Sequence, residues 1–159
     1  MVNRYEEATQ NENDLMREIR AEHFPELRNA NIKVLFDLKR RMYGGKIILA
    51  RCQRASDLIR HLTQDAEVEE GVDYIVYLDK ICWENTTRPD HIRIMRHELR
   101  HPFFDAESEK APYKTVDHDI EDFSAEIPLN QDDISWRQRV ADLTLAIYEQ
   151  KKDEEETEE

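Results

Sequence analysis

The sequence predicts an α+β domain in which a short, mostly antiparallel sheet is flanked by helices. Three runs, "IKVLFDL" (Ile32 to Leu38), "KIILARC" (Lys46 to Cys52) and "DYIVYLD" (Asp73 to Asp79), are rich in β-branched and aromatic residues and read as strands. Around them, apolar residues recur at helical spacing. At 159 residues the chain has the length of one domain. We expect residues 1–11 to be a flexible N-terminus, 12–150 one folded domain, and 151–159 a disordered acidic tail.

Taken in order, "NDLMREIRAEHF" spaces Leu15, Ile19 and Phe24 as a helix face, with Asn13 or Asp14 as N-cap and Pro25 as its stop. The first two strand runs are joined through "YGG" (Tyr43 to Gly45), which suggests antiparallel neighbours. "SDLIRHLTQD" opens on a Ser or Asp cap and sets Leu58, Ile59 and Leu62 on one side of a helix before the third strand. A helix over Pro89 to His101 follows, because proline suits a first turn and Pro102 stops what precedes it. Further on, "YKTV" reads as a short strand and "DIEDFSAEI" as a short helix. "ISWRQRVADLTLAIYEQ" reads as a last helix through Ile134, Val140, Leu143 and Ile147.

Composition limits function. The net charge of −13 argues against non-specific nucleic-acid binding, which needs clustered bases to displace counterions. The last nine residues, "KKDEEETEE", hold six acids against two bases, and the rest of the chain is acidic as well. Cys52 and Cys82 are the only cysteines, too few for a disulfide-stapled secreted scaffold. No run approaches the roughly 20 apolar residues of a membrane span, and the start lacks a signal-peptide core. The expectation is a cytoplasmic monomer with no nucleic-acid or membrane partner.

The chemistry concentrates in "RHELRHP", Arg96 to Pro102. On a helix, positions four apart are neighbours, so His97 and His101 can both direct a ring nitrogen at one metal ion. Zinc lowers the pKa of a bound water towards neutrality, and Glu98, one residue round, is placed to take its proton as general base. Ile94 shares the histidine side while Ile92, Met95 and Leu99 form another, so that side is expected to be half buried; Arg93, Arg96 and Arg100 take the remainder. The competing reading makes the two histidines surface groups that pair with acids.

A catalytic zinc site takes three protein ligands and keeps one position open. His118 is the only histidine after His101 and stands seventeen positions later, in "DHDIEDFSAE"; we expect it to be the third ligand, with Glu121 as rival. Asp122, four residues after His118, is assigned an orienting or charge-balancing role. A fourth protein ligand such as Glu121 or Asp119 would instead close the site as a structural one. The acids here also suit the N-terminus of a solvated helix. For oxyanion stabilisation the candidates are Tyr113, Tyr74, Tyr77 and Arg100. Pro102 restricts His101 away from α geometry.

With "YIVYLDKICWENTTRPDHIRIMRHELRHPFF" followed by "YKTVDHDIEDFSAEI", the chain resembles the small metallopeptidases encoded by phages and prophages, within the zincin superfamily. The resemblance spans about residues 30–130. It implies a compact zincin-like domain with an active-site helix beneath a small sheet and an edge strand along the cleft. By position, "DYIVYLD" is expected to be the strand bordering the site. It also implies His97, His101 and His118 as zinc ligands, Glu98 as general base, and a protein or peptide substrate met in the host cytoplasm. The alternative is a non-catalytic acidic interaction or regulatory protein whose metal site is structural or vestigial.

Overall fold

The computed structural model describes residues 3–119 and 122–158, with the side chain of Glu158 outside that description. A four-stranded sheet holds β1 (Tyr5–Glu7), β2 (Ile32–Asp37), β5 (Ala50–Arg54) and β6 (Tyr74–Asp79), in the order β1-β2-β6-β5. Between β2 and β5 comes the two-stranded hairpin β3 (Met42–Tyr43) and β4 (Lys46–Ile47), and later a second one, β7 (Pro102–Phe104) with β8 (Tyr113–Thr115). The helices are α1 (Gln10–His23), α2 (Asp57–Leu62), α3 (Lys80–Glu84), α4 (Arg88–Leu99) and α5 (Trp136–Glu158). The α+β class holds.

Within the four-stranded sheet two of the three pairings are antiparallel, and β2 runs parallel to β6. That corrects one expectation: the first two strand runs are not neighbours, because β6 lies between β2 and β5. β6 carries the most continuous apolar run and is buried at five of its six positions, so the centre of the sheet is where its two faces are both covered. The Gly44–Gly45 pair is spent locally, with positive φ at both residues in the tight turn between β3 and β4.

Val34 and Phe36 of β2 and Tyr74, Val76 and Leu78 of β6 point to one face, since alternate residues share a side. Onto them pack Leu15, Met16 and Ile19 of α1, Ile94, Met95 and Leu99 of α4, and Trp136 and Val140 of α5. Burying this cluster is the main term holding the layers together, at roughly 1.5–3 kcal/mol per large apolar side chain.

Several boundaries differ from the sequence reading. α1 begins earlier, after Thr9, whose N–H donates to the Glu12 carboxylate at 3.0 Å in a capping box. Tyr5–Glu7, expected within a flexible segment, is β1, paired antiparallel with β2. α5 continues through the acidic stretch expected to be disordered, and its inward residues are Trp136, Val140 and Thr144, whereas Ile134 and Leu143 are exposed. α2 has its Ser56 cap on the Ile59 N–H at 3.2 Å, yet Leu58 and Leu62 stay exposed. In place of a helix over "DIEDFSAEI" the described part forms a 3-10 turn, Ser124–Glu126. No helix among the described residues is long and apolar enough to cross a membrane.

Candidate metal centre

α4 is the element on which the site is built. From Arg93 to Leu99 every residue is buried, so Arg93 and Arg96 lie inside and are paired. Arg93 donates to Asp90 at 2.9 Å, and Arg96 donates to Glu126 at 2.8 Å and to Asn130 at 2.7 Å. A charge taken out of water needs such partners, and Glu126 holds both Arg96 and Arg100, the latter at 2.5 Å.

The helix ends at Leu99, two residues before His101. Arg100 and His101 make short-range backbone bonds to His97 and Glu98, each at 3.2 Å, as the last turn tightens ahead of Pro102. His97 and Glu98 therefore lie on the helix and His101 on the turn that leaves it. This corrects the expectation that all three share a regular helix.

The β7–β8 hairpin explains the seventeen-residue gap. Pro102 pairs with Thr115, and the ladder extends one step further, the His101 carbonyl accepting from the Val116 N–H at 2.7 Å. His118 is thereby returned beside His101. Its Nε2 lies 3.0 Å from His97 Nε2 and 3.1 Å from His101 Nε2. Among the described residues these three histidines form a group able to hold a metal ion.

The opposite ring nitrogens fix the tautomers. His97 Nδ1 lies 2.5 Å from Asp122 Oδ1, and His101 Nδ1 lies 2.8 Å from the Val116 carbonyl oxygen. Burial opposes the charge of Asp122, but the hydrogen bond and charge of His97, the Phe123 N–H and Arg137 together bring its pKa below the usual carboxylate value. Both partners thus act as acceptors, so each Nδ1 carries the proton and each Nε2 turns a lone pair towards the other rings. Lone pairs facing one another at 3.0–3.1 Å suit a cation between them. A tetrahedral zinc ion with bonds of about 2.0–2.1 Å holds its ligand atoms roughly 3.3 Å apart. The residues fit the group.

Glu98 is buried, with its Oε2 4.0 Å from His101 Nε2. Burial raises its pKa, while His97, His101, Arg137 and the Cys52 backbone N–H pull the other way. His118 is displaced downwards, first by desolvation and then by the two other histidines. Phe123 was not singled out from sequence, yet its ring centroid lies 5.2, 5.1 and 5.1 Å from those of His97, His101 and His118.

Asp122, expected to orient a ligand or balance charge, accepts from His97 Nδ1. Asp119 is engaged by Ser124, accepting from its N–H at 2.8 Å and its hydroxyl at 2.6 Å. Glu121, the rival ligand, lies outside the described residues. Of the expected oxyanion donors, the Tyr74 hydroxyl donates to the Lys114 carbonyl at 2.7 Å and Arg100 holds Glu126, while the rings of Tyr77 and Tyr113 pack on Tyr5 and Tyr74. The nearby cation is Arg137, 3.9 Å from Asp122 Oδ1. β6 is central, so it does not border the site; β5 is the sheet edge, and its Cys52 N–H is the one that reaches Glu98.

Compared with known families, residues 3–148 match the one described as "Putative phage metallopeptidase". The chain belongs to that family. Membership brings a metallopeptidase function in general, with a metal and protein or peptide substrates. Neither the curated proteins nor the solved structures include a significant match.

Proposed function

We propose that this member of the phage metallopeptidase family is a zinc-dependent peptidase in which His97, His101 and His118 hold the ion and Glu98 is the general base. The observation that carries the reading is the convergence of three Nε2 atoms, those of His97 and His101 belonging to rings whose Nδ1 is committed to an acceptor. Nitrogen ligands three in number leave a fourth position open, as catalytic zinc sites do.

Bound there, zinc would supply Lewis acidity, polarising a scissile carbonyl and acidifying a water. Glu98 accepts the proton at a carboxylate whose basicity burial has increased, and passes it to the departing amine. Asp122 and Val116 keep two imidazoles in the ligating tautomer. The Phe123 ring closes one side of the cluster to water. A peptide in extended form can be held along β5 by main-chain hydrogen bonds. The setting that fits a phage- or prophage-encoded enzyme of this composition is the host cytoplasm.

Glu98→Gln tests the assignment because it keeps shape and removes the base. It is expected to retain about one zinc per chain by elemental analysis while turnover of a peptide pool falls about 10²–10⁴-fold. His97→Ala and His118→Ala are expected to lose the zinc. A wild-type protein that takes up no zinc would favour the acidic interaction-protein reading instead.

A further inference from the structure

We propose that the edge strand β5 selects peptides carrying acidic side chains, through Arg51 and Arg54; this rests on the peptidase reading of the neighbouring site.

The ladder shows which backbone groups β5 has to offer. The Ala55 N–H donates to the Asp73 carbonyl and the Asp79 N–H to the Leu49 carbonyl, both at 2.9 Å. In an antiparallel pair, residues that bond the partner alternate with residues that do not. Given the register Ala50 to Leu78 through Arg54 to Tyr74, Arg51 and Gln53 bond β6, whereas Ala50, Cys52 and Arg54 turn their N–H and C=O groups away from it. This edge meets the site through α4, which packs against β5, and the Cys52 N–H faces Glu98 there. Arg54 is two residues further along, so a strand laid against β5 passes the general base and then this guanidinium.

Charge supplies the selectivity. The chain holds 36 acids against 23 Lys and Arg, and the arginines around the site are matched to carboxylates: Arg88 to Glu18, Arg93 to Asp90, Arg96 and Arg100 to Glu126, Arg137 to Asp122, Arg139 to Asp90. Arg51 and Arg54 are both exposed and form no ion pair among the described residues. They lie on opposite faces of β5, Arg51 level with Tyr77 and Arg54 level with Tyr74. A strand with carboxylates on either face therefore finds a planar, two-pronged donor. A basic strand meets two like charges there, and an acidic body then disfavours polyanions large enough to overlap it.

The test is binding rather than turnover. Zinc-loaded Glu98→Gln protein is titrated against three fluorescein-labelled ten-residue peptides in which Thr-Val pairs alternate with pairs of Glu, Gln or Lys, so that both faces of the extended peptide carry the tested side chain, read by anisotropy. The Glu peptide is expected to bind at least about fivefold more tightly than the Gln peptide, in line with two exposed charge pairs. The advantage should shrink with added salt and vanish in Arg51→Gln/Arg54→Gln, whose melting temperature is expected to stay near that of the parent because both sites are exposed. The charge reversal Arg51→Glu/Arg54→Glu should then prefer the Lys peptide. Equal affinities for the three peptides would overturn the inference, as would displacement of the Glu peptide by a ten-nucleotide thymidine oligomer at equal concentration. Charge preference in binding with no peptide cleaved by wild type sinks the peptidase reading alone; cleavage indifferent to charge sinks this inference alone.

Discussion

Asp122 and Phe123 sit next to each other in sequence and act on the site in different ways, one by a hydrogen bond to His97 and the other by lying against three imidazole rings. Removing an acceptor that orients a ligating histidine typically weakens a site about 10–100-fold, so Asp122→Ala is expected to lose that much zinc affinity in competition with a chromophoric chelator. His97, His101 and His118 were legible as candidates because histidine is scarce in this chain, and Glu98 because it stands directly after one histidine and three residues before the next. The Val116 carbonyl and the Cys52 N–H were not, since a backbone group leaves no mark in a sequence until the strand register is known. A second residue away from the site gives a pH prediction. His91 stacks on Trp83 with ring centroids 3.8 Å apart and its Nε2 lies 2.7 Å from the Trp83 carbonyl oxygen. Burial lowers its pKa below 6.5, partly offset by that carbonyl and by Asp90. The unfolded chain therefore takes up the proton first as pH falls. Stability from the neutral ring is complete above the unfolded value and is lost as pH drops through the folded one. Urea midpoints at pH 7.5 and pH 5 should differ less for His91→Gln than for wild type.

At the scale of elements, the interaction that matters most is the one between α4 and the segment that follows His118. Glu126 is fully buried, and it accepts from Arg96 and Arg100 on either side of His97 in sequence. Breaking a buried pair by deleting one partner costs about 3–5 kcal/mol, because the other charge is left uncompensated. Glu126→Ala should therefore unfold at markedly lower urea, with Glu126→Gln intermediate as it keeps hydrogen-bond acceptance. α4 itself illustrates where periodicity failed. Its arginines follow a pattern that usually marks a solvated side, and it is the carboxylates of Asp90 on the helix itself and of Asp132 and Glu126 later in the chain that let that side go inside. The end of the helix was better marked, by Pro102, although the consequence for His101 was a ligand placed beyond the helix.

For the whole molecule, the sequence carried the class and the runs of β2, β6 and β8, but it read Lys46 to Cys52 as one strand where β4 and β5 are two, and it left the strand order open. Strand order depends on which run is apolar enough to be covered twice, and β6 won the central place over the run nearer to β2 in the chain. At the other end, α5 extends well beyond its last contacts with the body, which include Tyr148 donating to Asp79 at 2.7 Å and Arg40 pairing with Glu149 at 2.8 Å. The described side chains of residues 151–157 are all exposed, so deleting residues 151–159 is expected to change stability by less than about 0.5 kcal/mol. Chemical denaturation of the shortened chain checks this. The three histidines, finally, are tethered with unequal stiffness: His97 sits in a buried helix, His101 on the turn after it, and His118 is exposed on the strand of chain returning from a hairpin. Ligand exchange on such a set is sequential, beginning with the arm that swings most easily. With zinc held as proposed, His118 would be the latch of the site, so its loss should speed zinc release to a chelator more than it slows capture, and the time a zinc ion stays bound would be set by a hairpin rather than by the helix that carries the motif.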